Sequence, residues 1–481
     1  MTQRLGAQPV PPKVAGGGGR IEYAELPPEL SSGWLRLLRV FGPGAVMASV
    51  TVGTGETIFS PRLGAIFGYQ VLWIIVLAVI FKGVLVYTGA RHLVLTGEHP
   101  MQAWAGLPGP RAWLPWLIGG VAVVSFPLWV AALSDAVASL CVWMSGWGQG
   151  VAWGRPAWST AIILTAMTLS VVQTYNVVER VSTAFLALKV FFIVVAIIVI
   201  RPDWAAALVG FVTPALPAYE PWVGEQYPDI AAQTTLFHLA VFLGVIGGGV
   251  QDYVGYVGMM REKAWGNSAA RGPIGPKALP QDPASVGRGI GWLRAPLFDV
   301  VSSFVCVLVM TSCFMILGAA VLHPQMQVPT DADLYSKQSQ FLALVHPSLV
   351  LVYKTGIFFA MFGAIYGTFE VFGRTAYEPL RAIWPSRPWD YSRVRLLITL
   401  YSGAGALLVL WTGFKAVMIV KVTSPVSGVL GCGLWCLAML WVDRRMPRAY
   451  RMHPVLVFMT LVTGLTMAIV GAYTTYKNWV Q

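Results

Sequence analysis

Gly53-Thr54-Gly55-Glu56 interrupts a long apolar stretch near the start of the chain, and Gly247-Gly248-Gly249 interrupts another near its middle, just before Gln251 and Asp252. Glycine weakens a helix, and a broken helix inside a membrane is tolerated only where its backbone faces protein or a cavity. A pair of such breaks at corresponding places in two halves of a chain indicates the substrate site of a secondary transporter.

The composition is that of a membrane protein. The chain has 481 residues, of which 56% are hydrophobic and 11% are charged, and its mean hydropathy is +0.65. Many apolar runs approach the roughly 20 residues that cross a bilayer as a helix. We therefore predict an all-α integral membrane protein with several passes in contact with membrane lipid.

The net charge of +12 does not indicate nucleic-acid binding, because the basic residues are spread over loops between apolar runs. The sequence contains no phosphate-binding loop of the Walker type, which argues against pumping driven by ATP. We predict no enzymatic activity and no resident cofactor.

The apolar pattern predicts about eleven transmembrane helices. Their approximate bounds are 36–66, 69–94, 112–146, 157–173, 180–200, 234–260, 297–322, 348–373, 393–413, 415–442 and 454–476. The first should be broken at Gly53 and Gly55, and Pro127 should kink the third. Residues 1–35 read as a disordered cytoplasmic tail because they are polar and rich in glycine and proline.

The loop charges predict the orientation. Loops 261–296, 374–395 and 443–453 are basic, whereas loop 201–233 is acidic, and the basic loops all fall on one side if the helix count is right. The positive-inside rule then places the N-terminus in the cytoplasm and the C-terminus outside, in a plasma membrane of the bacterial type.

The first ten helices divide into two sets of five. Residues 36–200 form the first set and residues 234–442 the second, joined by the external loop 201–233 and followed by an eleventh helix within 443–481. A five-helix unit that begins inside must be followed by one that begins outside, so the second repeat is inverted. The two glycine breaks then fall in helices 1 and 6, as in inverted-repeat transporters.

Several short motifs keep the order of one known family. In this sequence they read Gly42-Pro43-Gly44-Ala45, Gly68-Tyr69, Leu72-Trp73, Ser134-Asp135, Val178-Glu179-Arg180-Val181 and Gly367-Thr368. The chain thereby resembles the Nramp family of metal-ion transporters over about residues 36–476. The resemblance implies the LeuT-like fold, with ten inverted-repeat helices and an eleventh.

The residues that bind metal in that family are mostly replaced here. Its Asp-Pro-Gly-Asn break corresponds to Gly53-Thr54-Gly55-Glu56, and its Met-Pro-His corresponds to Gly248-Gly249-Val250. The resemblance also places Lys421 where the family has a glutamine in helix 10. Asp135 matches an aspartate of the family's proton route, and we expect Arg393 or Arg395 to be its basic partner.

These replacements change the expected chemistry. Without the methionine and histidine, the site loses the soft ligands that suit transition metals, whereas carboxylates and carbonyls suit Mg²⁺ or Mn²⁺. We predict Glu56 and Asp252 as metal ligands, together with backbone carbonyls freed by the breaks. The predicted substrate-binding set is Gly53, Thr54, Gly55, Glu56, Gly247, Gly248, Gly249, Gln251, Asp252 and Lys421.

Two other functions stay open at this stage. Lys421 and amides bared by the Gly-x-Gly break would suit an amino-acid or carboxylate carrier of the same fold, because the N-terminus of a half-helix favours an anion. A membrane sensor that no longer transports is the other. Lys82, Lys354 and Glu370 also lie within predicted spans, and we interpret them as structural, with one lysine neutralising Glu370.

Overall fold

The computed structural model of the protein describes most of the chain. The described residues are 23–31, 37, 40–51, 53, 55–172, 175–268, 275–329, 349–413 and 423–480. Two predicted site residues, Thr54 and Lys421, lie outside them.

The described part of the chain is built from helices. The long ones and the two pairs of half-helices are α1 (Pro43–Thr51), α2 (Ser60–Phe67), α3 (Trp73–Thr96), α4 (Trp113–Ser145), α5 (Gly154–Val172), α6 (Tyr175–Ile200), α7 (Thr235–Val245), α8 (Val250–Met259), α9 (Arg294–Leu317), α10 (Leu349–Ile383), α11 (Tyr391–Trp411), α12 (Gly431–Arg444) and α13 (Pro454–Val480). Each of the predicted helices has a counterpart here, so the fold is that of an all-α integral membrane protein. Nine spans of the described chain are long and apolar enough to cross a membrane.

The two predicted breaks divide helices as expected from the glycines. A π-helical turn, Gly55–Phe59, leads from the break after α1 into α2, and residues 246–249 separate α7 from α8. Further π-helical turns continue α9 at Gly318–Leu322 and precede α12 at Pro425–Leu430. Pro127 lies inside α4, where its missing N–H removes one helical hydrogen bond.

Helix α10 is longer than predicted, and it ends at Ile383 rather than near 373. Charged residues in the predicted loop are instead buried within the helix, because they pair with one another. Arg374 Nε donates to Glu370 Oε1 one helical turn earlier, at 3.0 Å. The basic loop that the charges indicated therefore begins ten residues later than its first arginine suggests.

The disordered tail predicted for residues 1–35 does not hold for residues 23–31. Tyr23 and Leu30 are buried, and the Tyr23 hydroxyl donates to the Leu95 carbonyl at the end of α3. Trp292 Nε1 donates to the Ala24 carbonyl at 2.9 Å. Two aromatic side chains therefore fix this segment to the basic side of the bundle, which composition alone does not reveal.

Close packing of glycines joins α2 to the end of α9. A Cβ atom on Gly64 would lie 2.1 Å from the Met315 carbonyl oxygen, and one on Gly318 would lie 2.2 Å from the Pro61 carbonyl oxygen. The obstacles are backbone atoms, which cannot rotate away. In a membrane, where apolar surface gains little by leaving lipid, such small-residue contacts carry helix association.

We expect Gly64→Ala to lower the thermal stability of the purified protein by the equivalent of about 1–3 kcal/mol, because the added methyl overpacks the α2–α9 contact. Gly120→Ala is the matched control, since nothing lies within 4 Å of its added Cβ. Tryptophan fluorescence during heating measures both. Equal melting temperatures for the two variants would contradict the packing interpretation.

Candidate functional site

The break after α1 is closed by local hydrogen bonds. The Gly53 N–H donates to the Thr51 carbonyl at 2.7 Å. The Gly53 carbonyl accepts from the Thr57 N–H at 3.1 Å and from the Thr57 hydroxyl at 2.6 Å. The chain thus re-enters a helix within a few residues, and Glu56 falls in its first turn.

The break between α7 and α8 requires glycine for a different reason. Gly247 and Gly248 have φ angles of +71° and +92°, in the left-handed region that other residues adopt only with strain. Gly249 has φ −118° and precedes the first turn of α8. Two consecutive left-handed residues turn the backbone groups of 246–248 away from the helix axis, so each group needs a new partner.

Glu56 connects the two breaks. Its side chain is fully buried, and Oε1 accepts the Gly247 N–H at 2.9 Å. Within the described structure its second oxygen, Oε2, has no hydrogen-bond partner. A buried carboxylate oxygen without a partner is costly, and it is therefore available to a ligand.

Asp252 lies in the first turn of α8 and caps that helix. Its Oδ2 accepts the Gly249 N–H at 2.7 Å and the Gln251 side-chain N–H at 3.2 Å. The sequence left open whether Asp252 binds a ligand or only accepts a structural hydrogen bond. The structure shows the structural bond, and it also places Asp252 in the wall of a cavity.

The cavity lies between the two breaks and has a volume of about 50 Å³. Its wall comes from α1, α4, α7, α8 and α10. The lining residues are Val50, Thr51, Gly53, Trp129, Leu133, Gly244, Val245, Gly248, Asp252, Thr368 and Phe372. A water molecule needs about 10–15 Å³ on this scale, so there is room for an ion or a few waters.

Lys82 is a site residue that sequence reasoning missed. It reaches from the middle of α3 to the second break, where its Nζ donates to the carbonyls of Gly244, Ile246 and Gly248 at 2.9, 2.5 and 2.7 Å. Our interpretation that one lysine neutralises Glu370 is therefore wrong for Lys82. Its position inside an apolar helix was the available signal, because an intramembrane charge is functional by default.

The carbonyls expected to be free ligands are thus already bonded. Besides Lys82, the Tyr253 hydroxyl donates to the Gly247 carbonyl at 2.8 Å and lies 3.2 Å from the Gly248 carbonyl oxygen. The prediction that freed carbonyls of the second break face the substrate is corrected on this point. Side chains satisfy them, because backbone groups inside a membrane must find partners away from bulk water.

Several amides at the breaks are bonded as well, which bears on the carboxylate-carrier alternative. The N–H groups of Gly247 and Gly249 donate to Glu56 and Asp252, and that of Gly53 donates to Thr51. The half-helix N-terminus is therefore matched by the chain's own carboxylates. The amides of Gly53, Gly247 and Gly249 are therefore already occupied by acceptors within the chain.

The partner predicted for Asp135 is wrong. Asp135 Oδ2 accepts from Arg155 Nη2 at 2.7 Å, at the start of α5. Arg393 instead pairs with Asp390 on the surface at 3.6 Å, and Arg395 lies 3.2 Å from Glu370. Arg155 is the second residue of α5, and no sequence pattern predicts that it lies beside α4.

Ion pairs tie the end of α8 to its neighbours on the predicted cytoplasmic side. Arg374 bridges Glu370 and Glu262, and Lys263 Nζ lies 2.6 Å from Glu179 Oε1. The cations that neutralise Glu370 are thus arginines, while Lys354 lies over the Trp143 ring, 4.3 Å from its centre.

Asp299 is a second residue that the sequence reasoning missed. It is fully buried on α9 and accepts the N–H groups of Gly42 and Gly44 at 2.9 and 2.8 Å, at the start of α1. It also accepts the Tyr256 hydroxyl at 2.7 Å. One carboxylate thereby joins α1, α8 and α9 on the side opposite to the cavity-facing end of α1.

Comparison with known proteins identifies relatives of this arrangement. Residues 44–477 match the family model described as natural resistance-associated macrophage protein-like. The crystal structure of the manganese transporter of Eremococcus coleocola superposes with a TM-score of 0.68 and 15% sequence identity, covering 94% of this chain and 89% of that one.

Two relatives share shorter stretches of sequence. The metal transporter Nramp6.2 of Populus trichocarpa is 31% identical over 94 residues, which are 19% of this chain and 17% of the relative. An uncharacterised protein of Pasteurella multocida (strain Pm70) is 32% identical over 106 residues, 22% of this chain and 24% of the relative. The chain therefore spans about a quarter of these relatives' length or less.

Two broken helices that meet at a small cavity are the arrangement of the LeuT-like fold. Because the family model covers most of its length, the chain belongs to the Nramp family, a family of metal-ion transporters.

We expect Gly248→Ala to disrupt the site. The alanine would have to keep the left-handed backbone conformation of Gly248. Its Cβ would also lie 2.9 Å from both Asp252 Oδ2 and Thr51 Cγ2. Backbone strain alone costs about 1–3 kcal/mol. Gly83→Ala is the control, since its Cβ meets nothing closer than 3.7 Å in α3. Thermal melting together with ligand binding compares them, and a Gly248→Ala protein as stable and active as Gly83→Ala would refute the strained break.

Proposed function

We propose that the protein is a secondary transporter for a small, hard divalent cation such as Mg²⁺ or Mn²⁺. The observation that carries this proposal is the pair of buried carboxylates where the two breaks meet, Glu56 with an unpartnered oxygen and Asp252 in the cavity wall. Both were predicted as metal ligands from the sequence.

The cavity wall supports a hard ion. Among the described lining residues, the side-chain ligand atoms are the oxygens of Thr51, Asp252 and Thr368, with no sulfur and no imidazole. Oxygen ligands suit magnesium and manganese, whereas soft thioether and imidazole ligands favour later transition metals. No cluster of three or more His, Cys, Asp or Glu side chains was found in the described part of the chain. Such a sparse site favours an ion that keeps part of its water shell, as Mg²⁺ does.

The size of the cavity argues against an organic substrate. Sites for small organic ligands measure about 300–1,000 Å³, whereas this cavity measures about 50 Å³. Its negative wall and the bonded amides also disfavour a carboxylate. The manganese named for the Eremococcus coleocola transporter is consistent with an oxygen-rich site, although that likeness is one of fold.

We propose that transport proceeds by alternating access. The pairs α1–α2 and α7–α8 meet at the cavity, so movement of these half-helices against the rest of the bundle would open it to one side at a time. The ion pairs of Arg374 and Lys263 join the end of α8 to helices that stay outside this unit. Breaking and re-forming these ion pairs would open and close the path to the cavity on the predicted cytoplasmic side.

We expect Glu56→Gln and Asp252→Asn each to weaken binding of Mg²⁺ and Mn²⁺ at least about tenfold, because each removes a negative charge next to the ion. Glu225→Gln is the control, since Glu225 is exposed in a short helix, Pro221–Gln226, between α6 and α7. Titration calorimetry on the purified protein measures the affinities. Metal binding unchanged in both site variants would sink the ligand assignment, and binding of a carboxylic acid with no metal binding would favour the carrier alternative.

We also propose that Asp135 carries the coupling proton, with Arg155 as its partner. Asp135→Asn should leave metal binding intact and abolish uptake driven by an acidic exterior in liposomes, because the amide cannot take up a proton. Arg155→Gln keeps the carboxylate and should retain a response to acid. If the two variants lose acid-driven uptake to the same degree, the pair is structural.

A further inference from the structure

Lys82 is bound at the second break as a free cation would be. A lysine ammonium has three N–H donors, and the three carbonyls of Gly244, Ile246 and Gly248 accept from it at 2.5–2.9 Å. The side chain is fully buried. All three donors are therefore used, and all three acceptors are backbone oxygens in the last turn of α7 or in the break that follows it.

The acceptors are of the kind that bind transported or coupling ions. Carbonyls of interrupted helices coordinate cations in transporters with inverted repeats. Here their places are taken by an ammonium that is attached to α3 and cannot leave the protein. The carbonyls at this break thus face an internal cation, and the carboxylates of Glu56 and Asp252 remain for an external one.

We propose that the Lys82 ammonium is a resident cation of the site, which occupies the carbonyls of the break and weakens the binding of the transported ion at the carboxylates. This inference rests on the proposed function, since it concerns the same site. Lys82 interacts electrostatically with both Glu56 and Asp252, yet no described ion pair joins it to either. It therefore acts on them through space rather than by contact.

The charge balance gives this arrangement a purpose. Two buried carboxylates without a counter-charge would repel each other and hold a dication too tightly to release it. One ammonium leaves a net charge of −1 for the two carboxylates and the lysine together. A transporter needs binding strong enough to load the ion and weak enough to let it go, and Lys82 adjusts the site toward release.

The competing explanation is that Lys82 only satisfies carbonyls, as any hydrogen-bond donor would. Two substitutions separate charge from hydrogen bonding. Lys82→Gln removes the charge but keeps two N–H donors, whereas Lys82→Met removes both. Lys354→Met is the control, because it removes the same charge from α10, where Lys354 lies over the Trp143 ring.

The test is calorimetric titration of the full chain with Mn²⁺. We expect Lys82→Gln and Lys82→Met to bind Mn²⁺ at least about tenfold more tightly than the unmodified protein, and Lys354→Met to bind it equally. An unchanged or weaker affinity in folded Lys82→Gln would overturn the proposal. If Lys82→Met alone fails to fold, the Mn²⁺ affinity of Lys82→Gln decides the test.

A second measurement separates this proposal from the proposed function. Lys82→Met leaves the carbonyls empty, so Na⁺ or K⁺ should raise its melting temperature relative to choline, while the unmodified protein should not respond. If neither protein binds a divalent ion but Na⁺ or K⁺ stabilises Lys82→Met, the proposed function is wrong, while the role of Lys82 as a resident cation is supported. If the unmodified protein binds Mn²⁺ and the Lys82 variants gain neither Mn²⁺ affinity nor stabilisation by Na⁺ or K⁺, the resident-cation proposal is wrong, while the proposed function is supported.

Discussion

The structure depends on satisfying backbone groups that two helix breaks expose inside the membrane. Away from bulk water, each freed N–H or carbonyl needs a new partner. Glu56 and Asp252 accept the N–H groups of the second break, and Lys82 and Tyr253 donate to its carbonyls. The residues that make the break tolerable are therefore the residues that give the site its charge.

This double role links stability to ion chemistry. A substitution that removes a carboxylate also leaves an amide without its acceptor, so its effect on binding and on folding cannot be separated by position alone. The isosteric amide variants keep an acceptor oxygen while they remove the charge. The same reasoning applies to Lys82, where glutamine preserves donors. The charge of the site, rather than its shape, is the property that such pairs of variants isolate.

Much of the fold could be predicted from the sequence because one physical signal dominates it. Apolar runs must span the bilayer, so the helices from α1 to α13 appear close to their predicted places, and Gly53 and Gly247 locate the breaks. The positions of charged residues predicted the ends of helices less reliably. Glu370 and Arg374 read as a helix end and a loop, yet they pair within α10 and allow the helix to continue.

The site was predictable only where its residues are neighbours in sequence. Glu56 and Asp252 stand beside the breaks, whereas Lys82, Arg155 and Asp299 reach their partners from helices whose mutual rotation the sequence does not specify. Rotating α3 by one residue would point Lys82 about 100° away from the break. The motifs of the Nramp family do not identify Lys82 either, because the methionine and histidine of the family's site are absent here. Glu56 stands where the family has an asparagine, and Asp252 adds a second buried carboxylate nearby, so under our proposal the Lys82 ammonium offsets part of the negative charge of this site.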